Sequence, residues 1–236
     1  MGGCLYIGDI MFKTRIEAVY LGYKNGLEDY MKQDGDELDK VMTWDLKKDI
    51  GHFDECEGEM KNMLLETKRL IIRSIRPTDE KAFIDMAADG SLWEIYGDCS
   101  ECHIWMKEFI SEAIRLEAED NLRQEYLAFA IEDKVKHLVV GSVGSTYYED
   151  FMEVGVSYFI GANHRGNGYA AEALKCFVEY LFAKYHLKKL VATADPNNIA
   201  SCKTLEKVGF SLIKTEMYQD MHDESKCMTN FYELVL

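Results

Sequence analysis

The chain has 236 residues, 47% of them hydrophobic, which is enough for one large domain or an ordinary domain with an appendage and excludes a disordered or fibrous protein. Forty-two acidic against 27 basic residues leave a formal charge of -15, an excess that argues against nucleic acid and anionic membrane as partners, since both are gripped by clustered Lys and Arg. Cationic partners are the electrostatic complement.

No apolar run reaches the roughly 20 residues that span a bilayer, and the N-terminus lacks the basic, apolar and small-residue order of an export signal, so a cytoplasmic protein is expected. Met1-Gly2-Gly3-Cys4 invites lipidation, but Tyr6 stands where that pattern wants Ser or Thr. Seven cysteines, an odd number, read as reduced thiols rather than a disulfide framework.

Residues 1–62 carry 14 acids and 8 bases, making this stretch about twice as acidic per residue as the rest. An acidic extension over 1–62 and a folded domain over 63–236 are expected. Within the extension, Leu38, Val41, Met42, Leu46 and Ile50 recur at helical spacing behind Asp36, which predicts a helix. Residues 14–31 fit either a helix or a hairpin closed by Asn25-Gly26.

The domain alternates between the two periods. Residues 69–75 read as a strand, followed by a helix that opens near Pro77 and buries Ala82, Phe83, Met86 and Ala87. Met106, Phe109, Ile110, Ala113 and Ile114 mark a second helix, and strands follow over 126–131, 138–146 and 153–160. Val154, Val156, Tyr158 and Ile160 share one face of the last of these. The strongest helical stripe is Ala170, Leu174, Phe177, Val178, Leu181, Phe182 and Tyr185. A short buried strand over 190–194, a helix over 200–208 ended by Gly209, and strands over 210–217 and 231–236 complete an α+β order.

Between a strand and the long helix lies His164-Arg165-Gly166-Asn167-Gly168-Tyr169-Ala170. Two glycines one residue apart permit a tight turn that aims several N–H groups at one point, and the helix behind adds about half a positive charge at its N-terminus. Such a loop binds phosphate without net positive charge. It is neither a Walker loop nor a dinucleotide fingerprint, because the Gly-Lys-Ser/Thr and the G-x-G-x-x-G spacing are both missing.

Residues 165–174 resemble the R-G-x-G-x-A motif of the GNAT acetyltransferases. Glu153-Val154-Gly155-Val156, Asp195-Pro196-Asn197-Asn198-Ile199-Ala200-Ser201, Leu205-Glu206-Lys207-Val208-Gly209-Phe210 and Leu65-Glu66-Thr67-Lys68-Arg69-Leu70 resemble further segments of its RimJ/RimL-like branch. The resemblance spans about residues 63–236 and not 1–62. It implies a GNAT-like twisted, mixed and mostly antiparallel sheet flanked by helices. It also implies acetyl-coenzyme A as co-substrate, held by Tyr158, Phe159, Ile160, His164, Arg165, Gly166, Asn167, Gly168, Tyr169, Ala170 and Asn198, with no metal. The acceptor is then a primary amine: a protein N-terminus, a polyamine or another small molecule. A homodimer is compatible with the resemblance, and the alternative function is a non-catalytic acyl-coenzyme A binding or regulatory module.

The nucleophile must lose a proton first. A lysine-like amine of pKa about 10.4 costs about 4.6 kcal/mol to deprotonate at pH 7, a peptide α-amine only about 1. Glu153 is the expected base, with Glu149 and Asp150 close enough in sequence to substitute. A backbone N–H on the 158–160 strand is the expected oxyanion donor. Many relatives place a Tyr acid where Leu205 stands here, so Ser201 is the expected proton donor to the thiolate, although it also suits the first turn of its helix with Asn198 as cap. Trp93 and Tyr96 are expected to line the acceptor pocket. Cys99-Ser100-Glu101-Cys102-His103 spells a haem-attachment motif, which an unexported chain has no use for.

Overall fold

The computed structural model describes residues 5–7, 10–12, 63–96, 99–123, 126–219 and 225–236. The chain divides into two units, Met1–Met60 and Lys61–Leu236. In the first, strands β1 (Leu5–Ile7) and β2 (Ile10–Phe12) pair antiparallel, Leu5 opposite Phe12. The helix expected over 36–50 and the ambiguous stretch 14–31 lie outside the described residues.

The second unit is built on one eight-stranded sheet, in the order β3 (Leu64–Glu66), β4 (Leu70–Ser74), β5 (Tyr126–Asp133), β6 (Leu138–Tyr148), β7 (Glu153–Ile160), β8 (Lys189–Ala194), β10 (Cys227–Val235), β9 (Ser211–Tyr218). Every neighbouring pair is antiparallel except β7 with β8. This is the twisted mixed sheet the motifs implied. The helices are α1 (Glu80–Ala87), α2 (Trp93–Tyr96), α3 (Cys102–Glu119), α4 (Tyr169–Tyr185) and α5 (Ile199–Val208). Among the described residues no helix is long and apolar enough to cross a membrane.

Strand alternation assigns the two faces. Leu127, Phe129 and Ile131 of β5 join Val154, Val156 and Ile160 of β7 against Ala173, Leu174, Phe177, Val178 and Leu181 of α4. Ala128, Ala130 and Phe159 point the other way, into a second cluster with Phe83 and Met86 of α1 and Met106, Ile110 and Ala113 of α3. Each fully buried Phe or Leu contributes about 1.5–3 kcal/mol, so these stripes supply most of the drive to fold. A buried ion network closes the turn into α1. Arg73 forks onto Asp79 (2.8 and 2.9 Å) and reaches Glu132 (2.8 Å), and Asp79 accepts the backbone N–H of Arg76.

Boundaries shift where local pattern was the only guide. Pro77 opens a 3-10 turn, Pro77–Asp79, before α1 proper. α3 extends well beyond its apolar stripe, to Asp120 in a left-handed conformation (φ 48°). β10 begins at Cys227 because its polar Thr229 and Asn230 are buried in the ladder with β9.

One topological detail matters for function. β7 and β8 run parallel but are joined at a single residue pair, Gly155 with Val191, and β8 is then held by β10 on its other side. Beyond Gly155 the two central strands part.

Candidate active site

The glycine loop sits at the end of β7 where the strands have parted. Gly166 (φ +79°) and Gly168 (φ +73°) both take the left-handed conformation, and a Cβ at Gly166 would meet nothing within 4 Å. Backbone handedness, not crowding, therefore selects glycine there. Gly168 is the N-cap of α4, and no side chain caps this helix. Its first-turn N–H groups face the loop with the positive end of the helix dipole behind them, a donor set that fits a pyrophosphate.

The side chains around the loop are spent on holding it. Asn167 Nδ2 donates to the carbonyls of His164 (3.0 Å) and Arg165 (3.2 Å). Arg165 turns back, its Nε donating to Ile160 O (2.9 Å) and its Nη2 to Ser91 O (3.1 Å). The Tyr169 hydroxyl donates to Asp133 (2.5 Å). That bond, with N–H groups of Lys136 and Val135, holds the Asp133 carboxyl at about 2. Ala170 packs on the main core. Of the residues expected to hold the cofactor, Gly166, Gly168 and the start of α4 offer backbone donors, whereas the exposed Arg165 and Asn167 bond to neighbouring carbonyls and the buried Tyr169 to Asp133.

The β7 backbone supplies further donors. Gly161 N bonds Val140 O (3.0 Å), so ladder alternation turns the N–H groups of Tyr158 and Ile160 away from β6 and toward the side that β8 has left. On the α4 face, the Tyr158 hydroxyl lies 3.1 Å from Ser201 Oγ and 3.2 Å from Ser201 O. Burial pushes this phenol up to about 12. Ser201 is thus brought to β7, but through a tyrosine side chain that sequence reasoning valued only for its backbone. Asn198 caps α5, its Oδ1 accepting from Ser201 N (3.1 Å).

On the opposite face, Tyr148 of β6 lies across Gly155 and meets Thr193 Oγ1 of β8 at 2.8 Å. A Cβ at Gly155 would stand 2.3 Å from that ring, which gives the glycine of the 153–156 motif a reason. Phe151, Tyr218 and Phe231 continue the aromatic surface, with ring centroids 5.2–5.6 Å apart. Glu153 lies two residues before the parallel pair, its carboxylate 2.9 Å from Lys189 Nζ, which also reaches Glu233 (3.1 Å). Two carboxylates share one ammonium there, leaving a net negative corner. Asp150 accepts from Tyr218 (3.4 Å). Tyr96 packs with Trp105, Phe109 and Phe159, and burial pushes its hydroxyl well up. Trp93 opens α2, and its side chain lies outside the described ones. Cys99 and Cys102 are buried in the α1–α3 cluster, while His103 is exposed.

Tyr148, Lys189 and Glu233 escaped sequence reasoning because only cross-strand register places them together. Tyr158 had a signal, a tyrosine inside an apolar face.

The profile of the acetyltransferase (GNAT) domain matches residues 69–211, more than half of the chain. The chain belongs to the GNAT acetyltransferase family, and acetyl transfer is its chemistry. Among curated relatives, the uncharacterized N-acetyltransferase YoaA of Bacillus subtilis is 27% identical over 179 residues, covering 73% of this chain and 96% of the relative. YnaD of the same organism, also called an uncharacterized N-acetyltransferase, is 25% identical over 150 residues, covering 62% and 82%. The fold is shared with RimL, a ribosomal L7/L12 α-N-protein acetyltransferase solved with coenzyme A (TM-score 0.63, 11% identity, 74% of this chain and 98% of that one). It is shared too with Mycobacterium smegmatis RimJ solved with a coenzyme A disulfide (0.59, 20%, 70% and 81%).

Proposed function

We propose that this chain moves an acetyl group from acetyl-coenzyme A to a primary amine by direct attack within a ternary complex. The observation that carries the reading is the uncapped α4 N-terminus, opened by two left-handed glycines at the end of a strand whose neighbour has left it. The backbone from Gly166 to Ala170 holds the pyrophosphate, and the Tyr158 and Ile160 N–H groups serve the chain that runs along β7. Acetyl-coenzyme A supplies the activated acetyl group as a thioester.

The remaining chemistry falls to side chains. As the amine nitrogen bonds the acetyl carbon and the C–S bond breaks, Tyr158, its hydroxyl raised to about 12 and so protonated through neutrality, donates its proton to the departing thiolate, with Ser201 Oγ as its partner 3.1 Å away. Glu153 is the base. Its corner, with Glu233 and a single Lys189, is net negative, which favours an arriving ammonium. Amine acceptors agree with the acidity of the chain: a protein N-terminus, a polyamine or an antibiotic-like amine. Residues 1–62 are an extension that precedes the 63–236 catalytic domain in the chain.

The test is thiol release from acetyl-coenzyme A against a panel of amines and N-terminal peptides, with the whole chain, with Glu153→Gln and with a truncation starting at Met63. Turnover of an amine, slowed by Glu153→Gln, supports the reading. Coenzyme A binding without turnover of any amine replaces it with the non-catalytic module, a reading for which the ion-paired Glu153 and the leucine at 205 would speak.

A further inference from the structure

The first turn of α4 carries an acid, Glu172, at the very helix end that is to receive a pyrophosphate. A carboxylate there suits the helix dipole, but it draws on the same positive end that an anionic ligand needs. Arg69, in the turn between β3 and β4, answers this carboxylate in three ways. Its Nε donates to Glu172 Oε2 (2.7 Å), its Nη2 lies equally close, and its own backbone N–H donates to Oε1 (2.9 Å). The Thr67 hydroxyl adds a bond to Oε1 (2.6 Å). Burial pushes the Glu172 carboxyl up, but the bonds from Thr67 and Arg69 outweigh it and hold the group below the usual carboxylate range. The same guanidinium donates through Nη1 to Asn167 O inside the glycine loop (2.8 Å) and lies 4.8 Å from the Tyr169 ring centroid. One side chain thus touches the acid of the helix, a carbonyl of the loop between the two glycines, and the residue that starts the helix.

We infer that Arg69 is a positioning residue for coenzyme A: it cancels the Glu172 charge and fixes the Asn167 carbonyl, so that the loop amides meet the pyrophosphate without a competing carboxylate. The inference rests on the glycine loop being the pyrophosphate site. Neither residue needs to touch the ligand, because the effect is carried by charge balance and by the loop conformation.

Charge balance separates this role from a plain structural tie. Arg69→Gln leaves Glu172 ionised beside the site, and coenzyme A should bind about tenfold more weakly by calorimetry, with the loss in turnover falling on KM for acetyl-coenzyme A rather than on kcat. Adding Glu172→Gln to Arg69→Gln restores no tie but removes the exposed charge, so affinity should return to within about threefold of the unmodified protein. Glu172→Gln alone, which frees the guanidinium for the ligand, should bind coenzyme A at least as tightly as the unmodified protein and covers the case in which Arg69→Gln fails to fold. A double variant as weak as Arg69→Gln, or a weakened Glu172→Gln, overturns the inference while the loop assignment stands. Failure of the unmodified protein to bind coenzyme A overturns both.

Discussion

Two helices leave this sheet on either side of its central gap, and they begin in opposite ways. α5 follows β8, and its N-terminus is closed: Asn198 Oδ1 takes the Ser201 N–H, while Asp195 Oδ1 takes the Asn197 N–H at 2.7 Å. α4 follows β7, and its N-terminus has a glycine in the cap position with no side chain reaching the first-turn amides. The same strand–turn–helix grammar therefore produces a finished structural joint on one side and an open donor array on the other. An uncapped helix start held firmly by its surroundings is what distinguishes a binding end from a merely terminated helix.

The largest expected effect strikes the open end. Gly168→Val puts a β-branched residue at φ +73° and swings the amides out of line, and coenzyme A affinity should fall by up to about a hundredfold. Gly166→Val should behave alike although its surroundings are empty; calorimetry showing unchanged affinity in both would dissolve the contrast between the two helices. Next comes the tyrosine that bridges to the closed helix. Tyr158→Phe should lower kcat by about a hundredfold with coenzyme A affinity nearly kept. Because the hydroxyl is held up at about 12, the rate should fall evenly across neutral pH without a new titration limb, and a pH–rate profile displaced by the substitution would count against Tyr158 as donor.

At the closed end, Asn198→Ala should cost about 1 kcal/mol of stability in thermal unfolding and leave coenzyme A affinity within about twofold. A large fall in affinity would mean that both helix starts serve the ligand. The smallest effect concerns how the open end is held. The Asp133 carboxyl is depressed to about 2, so its bond to Tyr169 stabilises the fold above the ordinary carboxylate value of 3.8 and that contribution drains away as pH falls toward 2. The unfolding midpoints of Asp133→Asn and of the unmodified protein should therefore converge in that window. A constant difference down to pH about 2 would refute the linkage.

The open end was legible in the sequence because backbone and periodicity create it: two glycines, a strand before them and an apolar stripe behind suffice. The side chains were not. Arg165 looks like a phosphate ligand by type, yet its Nε and Nη2 donate to Ile160 O and to Ser91 O, a loop residue that sequence distance hides. Glu153 reads as a free strand-end acid until parallel pairing sets Lys189 beside it. Tyr148 falls beyond the strand expected over 138–146, and only antiparallel register with β7 lays it over Gly155. For Glu153 and Tyr148 a one-residue slip of register would change the partner, and no local pattern fixes register to that accuracy. The asparagine cap of α5 was legible because it acts within three residues.

The brace formed by Tyr148 has a thermodynamic consequence. A cleft made by prising apart two hydrogen-bonded strands would charge each arriving ligand for the ladder it breaks. At the proposed site a phenol tethered to Thr193 spans Gly155 where the strands begin to part, with the glycine beneath it admitting the ring to backbone level. With the proposed ligand entering there, the parting is already present in the fold, so binding energy is not consumed in separating strands and goes to orienting the ligand.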